Sequence, residues 1–573
     1  MISSFLCSSF FFLKLNERKG KQAEERPETR RCTRGTLLHV SDMSEFRHVR
    51  SPADILEESG SPFGPIKKST ETNHHQSIPS LVYKCLHLKT PGGDCDQRVR
   101  RRWYGLSDLW NLPIIGNLHQ LYKGGNLLHV TLASLAQEYG RIMTIWIGSQ
   151  HPTIIVSDHE LAWEVLVSKA QEYAARTLPY MSKFVTADWQ TLATSDAGPY
   201  WHALRKGLQN SALNPSNISA QVQFQENDIE SMTQSLWEEA CNNNGVVEPL
   251  IQLRRTTVKL VGRLCFGPEF DDEVFVQGMD SAVEDTIRLT GFARLVDVFE
   301  FTQYIPGLKL PFEQTYQVKR KIEDLVLPYI ARQRKSESPS TNCYLYFLLS
   351  QDLPEQVVIF SVFELFLLGV DSTSMATAWA LGFLIHDKET QHKLYEEISQ
   401  GGRDTITVEA VSKLQYLHAV VKESMRLKPI APLAVPHKAV KDSTLMGMRV
   451  LEGTSVLVNL YAVLRDGSVW RDPNRFMPER FLANSKHVHG NGGVGNGLER
   501  AMERSFLPFG AGRRVCAGME LAKVHVALTL ANLVNRFEWG SAVEGELPDM
   551  SEDLTFVLRM KTPLKARIVP RRL

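Results

Sequence analysis

The first hundred residues of the chain differ from the rest in the pattern of their apolar and polar positions. Residues 1–108 are polar, carry turn-forming runs such as Ser61–Pro65, and show no sustained helical or strand period. Their one apolar run, Ile2–Leu13, is shorter than the roughly 20 apolar residues that a membrane-spanning helix needs. We therefore expect residues 1–108 to be an atypical, mostly disordered N-terminal extension without a clear membrane anchor.

Regular patterns begin after this extension. Two short runs rich in Ile, Val and Trp, Arg141–Gly148 and Pro152–Ser157, predict strands. Helical periodicity dominates from Leu161 to Gln415, and short strands return between Pro429 and Leu460. The pattern predicts one large domain at residues 109–573 that is mainly α with a minor β portion.

The longest apolar segment of the chain, Val357–Ile385, is interpreted as a buried helix of the core. Glu364 and Asp371 lie within it, and charged side chains in the middle of a bilayer are costly. A polar stretch, Gly369–Thr373, interrupts its centre, and Gly inside a helix costs about 1 kcal/mol relative to Ala. We expect the missing side chain of Gly369 to let another group approach the helix backbone closely.

Composition narrows the class of protein. The 573 residues carry 65 Lys and Arg against 64 Asp and Glu, which argues against nucleic acid as the main partner, because phosphate binding needs a basic excess. A hydrophobic fraction of 43% excludes disorder for the chain as a whole. The 8 cysteines are scattered without a CxxC pair, so neither a zinc site nor a disulfide framework is expected.

One cysteine has a distinctive setting. Cys516 lies in the run Phe509–Gly518, where glycines on both sides permit a tight loop before a helix that we expect to begin near Ala517. A thiolate at a helix N-terminus is stabilised by backbone N–H groups, and Arg514 adds a positive charge nearby. The run indicates a stabilised thiolate, with a buried structural cysteine as the alternative.

This run resembles the haem-thiolate loop of the cytochrome P450 superfamily. Four further motifs occur in that family's order: Trp201 with Arg205, Leu368–Thr373, Glu423 with Arg426, and Pro478–Phe481. Glu and Arg three residues apart on a helix can form a buried ion pair, which the family's pattern extends to Arg480. The resemblance covers the chain from Leu112 to its C-terminus and implies the cytochrome P450 fold, a single large helical domain with small β-sheets.

The resemblance also implies the cofactor and the site. Haem b would be bound with Cys516 as the axial ligand of its iron. The implied cofactor-binding residues are Trp201, Arg205, His437, Phe509, Arg514, Cys516 and Gly518. The implied catalytic residues are Asp371, Ser372 and Thr373. The superfamily more often has Arg at the position of His437, and it usually has Ala and Thr where this chain has Leu368 and Ser372.

Longer stretches are similar to plant oxidases that form methylenedioxy bridges, such as canadine and stylopine synthases. These stretches are Leu112–Leu121, Met143–Asp158, Phe363–Leu384, Pro429–Lys438, Ser505–Gly518 and Phe556–Ala566. The similarity implies ring closure of an aromatic substrate with adjacent hydroxyl and methoxy groups, in alkaloid or in lignan and phenylpropanoid synthesis. The candidate pocket segments are Phe366–Ser372, Ala431–Val435, Phe556–Val557 and the residues before Trp201.

Partners follow from the same resemblance. No nicotinamide or flavin fingerprint occurs, so electrons are expected from a separate NADPH-cytochrome P450 reductase, with Lys206, Arg513 and Lys523 as candidate docking residues. O2 is the implied co-substrate, and the cytosolic face of the endoplasmic reticulum membrane is the implied location. Two alternatives stay open: another haem-thiolate reaction, such as hydroxylation, O-demethylation or phenol coupling, and a haem-binding protein without turnover.

Overall fold

The computed structural model describes most of the chain after residue 106. Described are residues 107–108, 112, 115–121, 127–147, 152–290, 304, 310–337, 340–401, 405–482 and 497–571. The predicted disorder of residues 1–106 lies outside the described residues. Ser107 and Asp108, the last two residues of the predicted extension, form a strand that pairs with Met143 and Thr144.

Helices dominate the described residues, as the sequence predicts. They are α1 (Leu118–Leu121), α2 (Leu128–Tyr139), α3 (His159–Trp163), α4 (Pro199–Asn210), α5 (Pro215–Ala220), α6 (Val222–Asn242), α7 (Pro249–Phe266), α8 (Glu273–Thr290), α9 (Leu310–Lys335), α10 (Tyr344–Leu349), α11 (Glu355–His386), α12 (Lys388–Ser399), α13 (Val408–Val411), α14 (Gln415–Leu427), α15 (Leu460–Val463), α16 (Gly497–Ser505) and α17 (Met519–Arg536). A π-helical turn spans Glu164–Ser168, and short 3₁₀ turns span Tyr180–Val185, Pro478–Phe481 and Gly512–Arg514.

The strands form small sheets. They are β1 (Ser107–Asp108), β2 (Ile142–Trp146), β3 (Pro152–Val156), β4 (Ala175–Arg176), β5 (Val246–Val247), β6 (His437–Lys438), β7 (Ser443–Leu445), β8 (Met448–Val450), β9 (Ser455–Val458), β10 (Phe537–Ser541), β11 (Glu552–Leu554), β12 (Leu558–Met560) and β13 (Ala566–Pro570). The largest sheet has the order β1-β2-β3-β9-β6-β4, and the others are β10-β13-β5, β11-β12 and β7-β8. The predicted strands before α3 and between Pro429 and Leu460 are therefore present.

The apolar segment predicted to be a core helix is α11. It is long and apolar enough to cross a membrane, yet 78% of its most apolar window is buried inside the protein. Trp379, near its C-terminal end, is fully buried. A Cβ atom on Gly369 would lie 3.3 Å from Cγ2 of Val261 on α7. The group that approaches the helix backbone at Gly369 is thus a side chain of the neighbouring helix.

Glu364 ties α11 to the segment that precedes α4. Its carboxylate is buried and accepts hydrogen bonds from the Thr191 hydroxyl at 2.5 Å and from the Ala193 N–H at 3.1 Å. Burial raises the pKa of Glu364 to about 7, although these hydrogen bonds act to lower it. The Glu364 carboxylate, which was expected to be costly inside α11, therefore has hydrogen-bond donors, and these bonds hold the segment before α4 against the helix.

A second buried cluster holds the segment after α14. Arg426 and Glu423 are fully buried and form two parallel bonds, Nε to Oε2 at 2.7 Å and Nη2 to Oε1 at 2.9 Å. Arg480 joins the same carboxylate with its Nε at 3.0 Å. Arg426 also donates to the carbonyl oxygens of Leu464 and Pro473. This is the buried ion pair that the spacing of Glu423 and Arg426 predicts, and its role is structural.

We expect the stability of the protein to depend on pH through Glu364. Because its pKa is raised from the ordinary 4.5 to about 7, the folded state binds this proton more tightly than the unfolded chain does. The resulting stability is present at low pH and is lost as pH rises through about 7. Glu364→Gln removes the titration, so between pH 5.5 and 8 the wild type should lose up to about 2 kcal/mol more stability than the variant.

Thermal unfolding of both proteins across this pH range measures the difference. Glu389→Gln is the matched control, because Glu389 lies on the surface of α12 with its side chain 79% exposed. The control should follow the wild type at every pH. A difference in stability between the wild type and Glu364→Gln that does not change with pH would contradict the assignment of the pH dependence to Glu364.

Candidate functional site

The loop before Cys516 is tightly turned. Gly510 and Gly512 have φ angles of 68° and 67°, in the left-handed region that favours glycine. A Cβ atom on Gly512 would lie 1.7 Å from the carbonyl oxygen of Leu166, so only glycine lets the loop press onto the π-helical turn. The N–H of Cys516 donates to the carbonyl oxygen of Phe509 at 3.0 Å. The tight loop expected from the sequence is present.

The sulphur of Cys516 lies before the N-terminus of α17, which begins at Met519, two residues after the expected start. Part of Cys516 is exposed to solvent, but the protein packed around the thiol desolvates it and so raises its pKa. The N–H of Gly518 and the charge of Arg205 act in the opposite direction. Coordination to a metal ion deprotonates a thiol outright, so this cysteine fits a metal ligand better than a free thiolate.

The cation that acts on Cys516 differs from the one expected. Arg514 is two residues away in sequence, but its guanidinium group points to the carbonyl oxygens of Ala174 at 2.8 Å and Ser195 at 2.6 Å. Arg205 instead lies beside the loop and donates to the carbonyl oxygen of Val515 at 2.8 Å. The expectation that Arg514 is the cation stabilising the thiolate was wrong, because the charge that acts on the Cys516 thiol is that of Arg205.

Trp201 and Arg514 form one unit. Both Trp201 and Arg205 project from α4, one helical turn apart. The Arg514 guanidinium carbon lies 4.6 Å from the centroid of the buried Trp201 ring, in a cation–π arrangement. The Trp201 indole N–H donates to the carbonyl oxygen of Leu192 at 3.0 Å. Three of the predicted cofactor-binding residues are thus brought together beside the Cys516 loop.

His437 is brought into the same region by the largest sheet. It lies on β6 directly opposite Arg176 on β4. Its Nδ1 is 2.7 Å from the carbonyl oxygen of Tyr173, and its Nε2 is 3.4 Å from Nη1 of Arg176. Burial and the neighbouring Arg176 charge lower the pKa of His437 to about 3. His437 is therefore neutral, and it cannot supply the charge that an Arg at this position would carry.

Arg176 is a site residue that the sequence interpretation missed. Its side chain is enclosed by protein, its Nη1 donates to the carbonyl oxygen of Val435 at 2.9 Å, and its buried Nε has no partner among the described residues. Burial, with the charge of Arg514, lowers the pKa of Arg176 to about 9. The one signal in the sequence is a charged residue directly after the apolar run Tyr173–Ala175, which is buried in the structure.

These cations fit an anionic ligand. Burial and the charge of Arg205 lower the pKa of Arg514 to about 10, against the opposite effect of Asp196. Burial also lowers the pKa of Arg205. Within the described residues, the guanidinium groups of Arg176, Arg205 and Arg514 donate to backbone carbonyl oxygens and form no carboxylate ion pair. Desolvated positive charge of this kind is stabilised by an anion. The two carboxylates of haem b, with Cys516 for its iron, match this set of donors.

The predicted catalytic residues lie on one turn of α11 in different surroundings. Ser372 is half-buried, and its hydroxyl donates to the carbonyl oxygen of Leu368 at 2.6 Å. Thr373 is buried, and its carbonyl oxygen accepts from the Thr377 hydroxyl at 3.2 Å. Asp371 is completely buried in an ion-pair network. Their catalytic roles stay predictions, and Asp371 is distinguished from the other two by its charged partners.

Phe509 and Gly518 complete the predicted set. The Phe509 ring is half-buried and lies 6.0 Å from Nζ of Lys523. Gly518 has a φ angle of −90°, and a Cβ atom there would meet no described atom within 4 Å. Neither backbone strain nor crowding by the protein therefore requires glycine at 518.

Comparison with known proteins places these features in a family. The family model for cytochrome P450 matches residues 107–566. Among curated proteins, the chain is 52% identical over 462 residues to (S)-canadine synthase of Coptis japonica, covering 80% of this chain and 91% of the relative. It is 51% identical over 466 residues to piperic acid synthase of Piper nigrum, covering 80% of this chain and 89% of the relative.

Solved structures agree with this placement. A zebrafish cytochrome P450 bound to progesterone matches with a TM-score of 0.65 and 26% identity, covering 78% of this chain and all of that one. The sequence expectations of the fold, of haem as cofactor and of an oxidising enzyme are confirmed. By its family match, its relatives and its helical architecture, the chain belongs to the cytochrome P450 family.

Proposed function

We propose that this protein forms a methylenedioxy bridge from an ortho-methoxyphenol in plant specialised metabolism. The observation that carries the proposal is its 52% identity to (S)-canadine synthase over 462 residues. The Cys516 loop lies within the matched family region. The substrate would have a benzylisoquinoline alkaloid or a lignan or phenylpropanoid skeleton.

We assign cofactor binding to residues around the Cys516 loop. Cys516 would hold haem through its iron, and the bound haem would supply the oxidising power of the reaction. The residues proposed to hold its carboxylates are Trp201, Arg205, His437 and Arg514, with Arg176 added. Phe509 and Gly518 flank the sulphur in the chain. Neutral His437 uses its one N–H on the carbonyl oxygen of Tyr173, so Arg176 opposite it would supply both the hydrogen bond and the charge.

We assign proton delivery to the middle of α11. Ser372 carries a hydroxyl that can exchange its bond to Leu368 for one to a water molecule in the pocket. Asp371 is the neighbouring carboxylate, and Thr373 completes the predicted set on the same turn. Serine retains the hydroxyl of the threonine usual in the family while leaving room for one more methyl group.

The proposed reaction balances as follows. One C–H bond of the methoxy methyl group and the O–H bond of the adjacent phenol break, and one C–O bond forms. The substrate loses two hydrogens, and O2 becomes two molecules of water with two further electrons from the reductase and two protons. Ring closure is intramolecular, so the main task of the protein is to hold the methoxy methyl group at the reacting position.

Two further assignments concern partners. Arg513 and Lys523 lie close to the Cys516 loop in the chain, and Lys206 lies next to Arg205 on α4. We propose these three residues as part of the docking surface for an NADPH-cytochrome P450 reductase. We also propose location on the cytosolic face of the endoplasmic reticulum membrane, as in the plant enzymes that the chain resembles.

The first prediction from the proposed function concerns the product. With a plant reductase, NADPH and a tetrahydroprotoberberine that carries adjacent hydroxyl and methoxy groups, we expect a product lighter than the substrate by two hydrogens. A lignan with the same ring pattern is the second substrate to test. Mass spectrometry of the reaction mixtures is the measurement.

The control substrate carries the methoxy group without the adjacent hydroxyl, so that no ring can close. We expect no loss of two hydrogens from it. Gain of one oxygen, loss of the methyl group or a coupled dimer from the ortho-methoxyphenols would favour the alternative haem-thiolate reactions instead.

The second prediction concerns Cys516. The carbon monoxide complex of the reduced wild-type protein should have the red-shifted Soret band of thiolate ligation, and Cys516→Ser should lack it. Cys241→Ser is the control, because Cys241 is exposed and lies on α6, away from the loop in sequence. A thiolate band without reductase-dependent turnover of any substrate would support the haem-binding protein without turnover.

The third prediction concerns Arg176. Arg176→Gln removes one desolvated charge from the proposed carboxylate site, so haem should leave the protein about tenfold faster, the effect of one charge-assisted hydrogen bond. Transfer of haem to apomyoglobin measures the rate without turnover. Arg471→Gln, at a side chain 70% exposed, is the control and should match the wild type. Equal rates for both variants would exclude Arg176 from the site.

A further inference from the structure

The hairpin of β11 and β12 connects a proposed pocket segment to the core. Its turn carries Phe556, with 39% of its surface exposed, and the buried Val557. Both backbone groups of Leu558 are used: its N–H donates to Ile430 at 2.8 Å, and its carbonyl oxygen accepts from the Trp379 indole at 3.2 Å. The start of β12 is thus hydrogen-bonded both to α11 and to the segment after α14.

The next residue of β12, Arg559, reaches the carboxylate of Asp371. Its Nε donates to Oδ2 and its Nη2 donates to Oδ1, both at 2.8 Å. Because the guanidinium group is planar, this two-point contact fixes the rotation of the carboxylate. The positive charge of Arg559 also balances the negative charge of Asp371. Burial lowers the pKa of Arg559, but the hydrogen bonds and charges of Glu284 and Asp371 outweigh it and raise the pKa overall.

The remaining charged groups around Asp371 come from two other helices. Arg254 of α7 donates to Oδ1 of Asp371 and, with its Nε, to Asp280 of α8 at 2.7 Å. Glu284 of α8 accepts from Arg559 at 2.8 Å. Arg254 therefore partly neutralises Asp371 even without Arg559. The contribution that Arg559 makes alone is the two-point contact from the hairpin.

We propose that Arg559 is a positioning residue that orients the Asp371 carboxylate and links it to the substrate-facing turn of the hairpin. The proposal rests on two proposed assignments, proton delivery by Ser372 and Asp371 and the place of Phe556 and Val557 in the substrate pocket. A molecule that presses on Phe556 or Val557 would move β12, and with it Arg559 and the carboxylate. Proton delivery beside Ser372 then becomes sensitive to what occupies the pocket.

Loss of this orientation has a specific chemical consequence. When protons reach the reacting site in the wrong place or at the wrong time, O2 takes up two electrons and two protons and leaves as hydrogen peroxide. NADPH is then consumed without oxidation of the substrate. A residue that only stabilises the fold would instead lower product and NADPH consumption together.

The experiment uses the holoenzyme with its reductase. NADPH consumed, hydrogen peroxide released and product formed are measured for the wild type, Arg559→Lys and Arg559→Gln. Lysine retains the charge but offers one point of contact, so we expect the peroxide released per NADPH to rise severalfold in Arg559→Lys and further in Arg559→Gln. Haem content and the apparent affinity for substrate should stay close to the wild-type values.

Arg288→Gln is the matched control. Arg288 pairs with the same Glu284 at 3.0 Å from the outer side of α8, and its side chain is 71% exposed. We expect wild-type peroxide release from this variant. An unchanged peroxide fraction in Arg559→Lys, or an equal rise in Arg288→Gln, would overturn the proposal.

A second measurement does not require turnover. Hydrogen exchange of the folded protein should be faster in peptides from β12 and from the Asp371 turn of α11 in Arg559→Lys, and unchanged at Glu423, which lies in a separate cluster. Exchange that rises equally in both regions would indicate a general loss of stability and contradict the proposal. If no substrate gives a bridged product while the peroxide fraction still changes with Arg559, the proposed function fails and this inference stands.

Discussion

A carboxylate buried away from water is costly unless hydrogen-bond donors surround it, and α11 buries two of them. Glu364 takes its donors from the segment at Thr191, and Asp371 takes two of its donors from Arg559. Both sets of donors come from parts of the chain that are far from α11 in sequence. The hydrogen bonds to these two carboxylates therefore determine where those parts of the chain lie. The first segment also supplies the carbonyl oxygen that holds the Trp201 indole, and the site is built outward from there.

Features that depend on neighbours in sequence could be predicted from the sequence. The spacing of Glu423 and Arg426 places both on one face of α14, and the glycines before Cys516 permit the tight loop wherever it packs. Strand runs such as β3 carry their own apolar pattern. In each case the interaction that decides the conformation lies within a few residues, so a single segment contains the necessary information.

Features that depend on distant contacts could not be predicted in this way. Arg176 gains its setting from His437, 261 residues later, and Arg559 meets Asp371 across 188 residues. Nothing near Arg514 in the sequence indicated that its side chain donates to the carbonyl oxygens of Ala174 and Ser195. The substrate skeleton could not be predicted for the same reason, because the proposed pocket combines segments from four separate parts of the chain.

The contact between Arg559 and Asp371 also constrains the order in which the protein can assemble. A ribosome completes α11 long before it reaches β12, so Asp371 emerges while one of its two arginine partners has not been synthesised. Contacts of such long range form late, because the chain between them must first be ordered. The centre of α11 can therefore adopt its final structure only after synthesis has passed the hairpin. Translation errors in this C-terminal part of the chain would disturb the structure around Asp371 in the core of the enzyme.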